Sequence, residues 1–133
     1  MAAAEPFPIL LPMERVTGIG GFFFRSGDPQ ALARWYETNL GIDPTPQTYD
    51  GIVWTQEAGA TVFAPFPESF DGPPLGPSGW GLNFRVANLD AIVAQLRANG
   101  VDVAVDAEVY PNGRLAQLTD PEGNAVQLWE PAA

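Results

Sequence analysis

A chain of 133 residues with 46% hydrophobic content and 11% aromatics is long enough for one ordinary domain with a real core. Sixteen acidic residues against six basic ones, all arginine, give a formal charge of -10, which argues against nucleic acid and anionic lipid as partners. Cysteine and histidine are both absent, so disulfides, thiolate chemistry, the usual general base near neutral pH and the commonest metal ligand are excluded together.

Residues 1–15, MAAAEPFPILLPMER, are apolar and broken by proline, and read as an arm lying on its own domain or on a partner. They lack the basic start and long apolar stretch of a secretory signal, and no run in the chain reaches membrane-spanning length. A cytoplasmic protein is the expectation. Beyond the arm the sequence repeats itself: shifted by sixty residues, GFFFRSGDPQALARWYETN from Gly21 falls on GLNFRVANLDAIVAQLRAN from Gly81. Gly21/Gly81, Phe24/Phe84, Arg25/Arg85, Ala31/Ala91 and Asn39/Asn99 coincide.

The first copy, 16–66, opens with a strand and continues into a helix that Asp28 caps and Pro29 begins. Leu32, Trp35, Tyr36 and Leu40 give that helix its apolar stripe, and Gly41 ends it. Short strands with turns near Asp50-Gly51 and Ala58-Gly59 complete a βαβββ unit. Residues 67–79 hold most of PFPESFDGPPLGPSG, too rich in proline and glycine for regular structure, and readable as a connector or as a flap over a site. The second copy, 80–133, repeats the pattern with Asn88 as cap, a stripe of Leu89, Ile92, Val93 and Leu96, and turns at Asn112-Gly113 and Glu122-Gly123. It ends in DPEGNAVQLWEP.

Two βαβββ units, a first strand running into GDPQALARWYETNLGI and a closing hairpin DPEGNAVQLWEP resemble the vicinal oxygen chelate superfamily, which includes glyoxalase I, extradiol dioxygenases and bleomycin-resistance proteins. The resemblance runs from about Val16 to Pro131. It implies an α+β fold in which two βαβββ modules form a curved, cup-shaped mixed sheet, often completed by a second copy of the chain. Strand alternation then sends Phe22, Phe24, Leu82, Phe84, Val126 and Leu128 under the helices. Phe23, Arg25, Phe63, Asn83, Arg85, Gln127 and Trp129 turn toward the cup, and Trp54 stands at its rim.

The resemblance also implies where a metal would be held: at four strand positions, which fall here on Gly21, Phe63, Gly81 and Gln127. Only the last could ligate, and a catalytic metal wants about three ligands of nitrogen or charged oxygen. No metal and no cofactor are therefore expected. Flat apolar walls with a few amide anchors make a small-molecule pocket, as in the bleomycin-resistance branch. The leading expectation is a metal-independent, homodimeric binder whose ligand-binding residues are Phe23, Arg25, Trp54, Phe63, Asn83, Arg85, Gln127 and Trp129. The alternatives are a lyase, isomerase or dioxygenase-type enzyme of the same superfamily, and an interaction module with a filled cup. Arg25 and Arg85 suit a carboxylate clamp, although pairing with Asp28 or Asp90 is the more ordinary fate of such arginines. Glu57, Glu130 and Asp50 are the carboxylates that could act as a base, and Asp120 and Glu122 are explained by turn geometry.

Overall fold

A computed structural model describes residues 13–133; most of the predicted arm, 1–15, lies outside them. Helix α1, Pro29–Leu40, begins where Asp28 Oδ1 accepts from the Ala31 amide at 3.1 Å, and it stops at Gly41, whose φ of 70° is the left-handed conformation that glycine adopts without strain. In the second unit β1, Leu82–Arg85, leads into α2, Leu89–Ala98, capped by Asn88 Oδ1 on the Ala91 amide at 3.0 Å. Strands β2, Ala104–Val105, β3, Gly113–Thr119, and β4, Ala125–Pro131, follow. The sheet order is β1-β4-β3-β2, with β1 parallel to β4 and the other pairs antiparallel. Over 82–131 the element order is thus strand, helix and three strands.

Alternation decides the two faces. Leu128, Val126 and Ala116 are fully buried, and with Leu118 they form the floor of a core that Leu89, Val93 and Leu96 of α2 close from above. Leu32 and Tyr36 of α1 enter the same core, so one face of the sheet carries both helices of the described residues. Where the helices meet, Asn99 Nδ2 donates to Asn39 Oδ1 at 3.1 Å, and Asn39 donates in turn to the Trp35 carbonyl at 3.0 Å. The repeat-related asparagines are therefore partners in space.

The first unit differs from its repeat. Its helix forms as predicted, but residues 16–25 and 52–66 form no strand ladder among the described residues. Val62, Phe63, Ile52 and Phe23 stand exposed, Phe23 at 93% and Phe63 at 87%. What ties this half to the sheet is side-chain contact. Phe22 and Phe24 clasp Trp80, with ring centroids 5.1 and 5.3 Å from the indole, and Trp54 meets the edge of Phe84 at 6.5 Å. Physically, alternation and aromatic content specify extended chain, while a ladder also requires a neighbouring strand to pair with.

The closing hairpin also docks α1. Asp120, only 4% exposed, accepts from the Glu122 and Asn124 amides at 2.8 and 3.0 Å, from Asn124 Nδ2 at 2.7 Å and from the Tyr36 hydroxyl at 2.7 Å. Burial and then the adjacent Asp120 carboxylate push the Tyr36 hydroxyl well above its ordinary pKa, so it stays a neutral donor. Two residues on, the Glu122 carboxylate takes Ser26 Oγ at 2.7 Å and the Gly27 amide at 3.1 Å, just before α1. Those bonds, led by the one from Ser26, hold the Glu122 carboxyl below the ordinary glutamate range. Since the folded-state pKa is depressed, the stabilisation is complete above the ordinary value and fades as pH falls through the depressed one. Urea midpoints measured down the acid range should therefore fall less steeply in Glu122→Gln than in the parent. Asp120 and Glu122 thus do more than shape a turn.

Candidate functional site

The sheet face opposite the helices presents its side chains in rows, set by register. The middle row runs Asn83, Gln127, Gln117 and Ala104 across β1, β4, β3 and β2. Above it lie Arg85, Trp129 and Leu115; below it lie Ala125 and Thr119. Of the residues assigned to the cup by alternation, Asn83, Arg85, Gln127 and Trp129 are thus brought onto one face. Asn83 Nδ2 donates to Gln127 Oε1 at 2.6 Å, so the two amides act as a pair. The Trp129 indole N–H donates to the Asn112 carbonyl at 2.9 Å, which fixes the ring beside the pair.

Both ends of this face are occupied by chain from outside the sheet. A Cβ built on Gly81 would overlap the Pro74 carbonyl, and one on Gly76 would come within 3.2 Å of Ala125. The proline-rich segment therefore runs close over the lower row, and Gly81 is glycine because backbone passes there. At the other end the Arg85 guanidinium donates to the Glu57 carbonyl at 3.0 Å and lies against Gly59, where a Cβ would overlap it. Arg85 is spent on a backbone tether between the two halves. The acids expected as its partners are engaged elsewhere: Asp90 pairs with Arg114 at 3.0 Å, and Asp28 caps α1. Between the two crossings Asn83 remains exposed.

A cavity of about 790 Å³ opens from this face toward the α2–β2 corner. Pro73, Leu75 and Pro77 of the linker wall it, Gln117, Thr119 and Ala125 line it from the sheet, and Arg97 and Asp102 stand where it reaches the end of α2. The linker is thus the wall of a cavity as well as a connector. A second cavity, about 400 Å³, lies among Phe22, Phe23, Phe24, Arg25, Ser78, Trp80 and Asn124. It gathers Phe23 and Arg25 from the expected set, apart from the amide row. Trp54 packs on Phe84, a residue of the core side, and Phe63 makes no ring contact among the described residues. Gln117 and Leu115 are the further residues of this face that alternation along β4 and β1 does not reveal.

The donor set does not fit a metal. The four superfamily positions offer two glycines, a phenylalanine and an amide already bonded to Asn83, and the space beside Gly81 is filled by the Pro74 carbonyl. Among the described residues no group of three or more acids could hold an ion. Carboxylates are also placed away from the row: Glu130 Oε1 accepts from the Leu89 amide at 2.7 Å on the helix side, as its position opposite Gln127 requires. No helix of the described residues is long and apolar enough to cross a membrane.

Comparison with known proteins agrees with this architecture. CFP32 of Mycobacterium bovis and of Mycobacterium tuberculosis, whose name provisionally marks it as a glyoxylase, is 33% identical over 111 residues, 76% of this chain. The chain spans only 41% of the length of those relatives. The crystal structure of TnmS3, an antibiotic binding protein from Streptomyces sp. CB03234, superposes over 90% of this chain and all of its own with a TM-score of 0.59 at 20% identity. A glyoxalase/bleomycin resistance protein from the same Streptomyces is 38% identical over 38% of this chain and 43% of its own, with a TM-score of 0.34. With the family profile matching residues 18–128, the chain belongs to the Glyoxalase/Bleomycin resistance protein/Dioxygenase superfamily.

Proposed function

We propose that this protein is a metal-independent binder of a small aromatic or amphipathic molecule, held on the sheet face that carries Asn83, Gln127 and Trp129. The observation that carries the reading is the Asn83–Gln127 amide pair, seated where the superfamily places its last ligand and opening beside an apolar-walled cavity of about 790 Å³. That volume suits a drug-sized ligand, and the fold houses binding in TnmS3, an antibiotic binding protein. Asn83 and Gln127 orient the ligand, Trp129 supplies the flat wall, and Phe23 and Arg25 belong to the smaller neighbouring cavity.

The proposed working form is a homodimer in the cytoplasm, with 16–66 acting as the first βαβββ module and 80–133 as the second. Its support is the exposed apolar side chains Phe23, Ile52, Val62 and Phe63, on segments whose backbone has no ladder among the described residues. A second copy provides both the strand edges and the cover.

Native mass spectrometry of freshly isolated protein tests both parts. A dimer without stoichiometric first-row metal is expected, and Gln127→Ala should weaken binding of any co-purifying small molecule about tenfold, the worth of roughly one hydrogen bond, with metal content unchanged. One equivalent of metal in chelator-free protein, or turnover abolished by chelator, would overturn the reading in favour of the enzymes of the superfamily.

A further inference from the structure

The amide row is longer than the pair that the superfamily position identifies. Gln117 stands directly opposite Gln127 across β3 and β4, and Gln127 stands opposite Asn83 across β4 and β1. Side chains so paired lie about 5 Å apart on one face. Gln117 is half-buried, and among the described residues no side chain takes up its amide. It also lines the 790 Å³ cavity, which the pair does not. Gln117 is thus the amide of the row that reaches this cavity.

Hydrogen-bond arithmetic then limits what the row can read. Each primary amide carries a two-hydrogen donor and an acceptor oxygen. Asn83 and Gln127 use one donor hydrogen and one acceptor on each other, and whichever amide is turned over, the pair still has both functions left. Gln117 adds a full second set. The row itself contains no charge: its fourth member is Ala104, and the nearest cation above it, Arg85, is tied to the Glu57 carbonyl. An anionic group at the row would find no free counter-ion, because Arg97 at the α2 end of the cavity donates to the Val103 carbonyl at 2.8 Å, and it would meet a protein of formal charge -10; a cationic group would find no carboxylate in the row, Asp102 standing at that same α2 end.

We infer that Gln117 is a specificity-determining residue, and that the row Asn83–Gln127–Gln117 selects a neutral, planar molecule whose edge presents a hydrogen-bond donor beside an acceptor, as a carboxamide, lactam or imide does. The inference rests on the proposed binding role of this face and adds the chemical class of its ligand. Gln117 reads the polar edge, while Leu75 and the linker prolines enclose the apolar body.

A matched set of probes tests it by calorimetry on the full chain: 2-naphthamide, the methyl ketone 2-acetonaphthone, which keeps only the acceptor, 2-naphthoate and 2-naphthylmethylammonium. The amide should bind about tenfold tighter than the ketone, and tighter than either ion. Gln117→Leu should bring the amide down to the ketone's affinity while leaving the ketone unchanged. Gln117→Glu, which keeps an acceptor but loses the donor, should reject 2-naphthoate further and serves if the leucine variant fails to fold. Preferential binding of an ion, or an amide preference that survives both substitutions, overturns the inference while leaving a small-molecule binder in place. Absence of binding by all four probes at millimolar concentration overturns the binder together with its specificity.

Discussion

Asp120→Ala is expected to lower stability by about 3 kcal/mol, a loss of roughly 10 °C in melting temperature for a domain of this size. The carboxylate accepts four hydrogen bonds at once, and the one from Tyr36 is buried. Without it the Tyr36 hydroxyl, already forced to remain neutral by burial, has no acceptor, and the two amides of the turn must find water. Asp120→Asn retains an acceptor for part of the set and should cost less than half as much. A double-mutant cycle with Tyr36→Phe, read from urea denaturation, separates the helix contact from the turn; a coupling below about 0.5 kcal/mol would mean that the turn alone needs the acid.

Gly81→Ala should be a strongly disruptive small change on the open face. The added methyl would overlap the Pro74 carbonyl, so either the linker lifts or the start of β1 moves. Overpacking of this kind costs about 1–3 kcal/mol. The measurement to make is limited proteolysis across 67–79: the variant should be cut faster in the linker while α2 and the hairpin stay protected. Equal cleavage of parent and variant would show that the linker does not rest on Gly81. Installing histidine at the same position, as a route back to a metal site, meets the same obstacle in larger form.

The second unit was legible in the sequence because every level agreed there. The Asn88 cap, the Leu89–Leu96 stripe, both glycine turns and the alternation of Val126 and Leu128 with Gln127 and Trp129 all reappear in the structure. The site was legible only along single strands. Alternation shows which way Gln127 points, but its neighbours depend on register, which belongs to a pair of strands. Gln117 could have been found by counting outward from the DPEGN turn, because the bonded pair Asp120 and Asn124 places Thr119 opposite Ala125 and hence Gln117 opposite Gln127. No such count reveals that Pro74 crosses Gly81, or that Arg85 is claimed by a backbone carbonyl in place of Asp28 or Asp90, since those contacts join segments with no periodic relation. The strands expected in the first unit form no ladder among the described residues, because alternation supplies no partner strand.

The Asn39–Asn99 contact places a condition on the repeat that neither unit shows alone. Where two repeat-related residues meet, each meets its own counterpart, and the side chain must be able to partner itself. Two carboxylates or two ammonium groups would repel there, and two leucines would remove the hydrogen bond that joins the two helices. An amide both gives and receives, so the same side chain can occupy both sides. The recurrence of asparagine at 39 and 99 is thus a requirement of self-complementarity, and one of them cannot change in character without altering what the other must be.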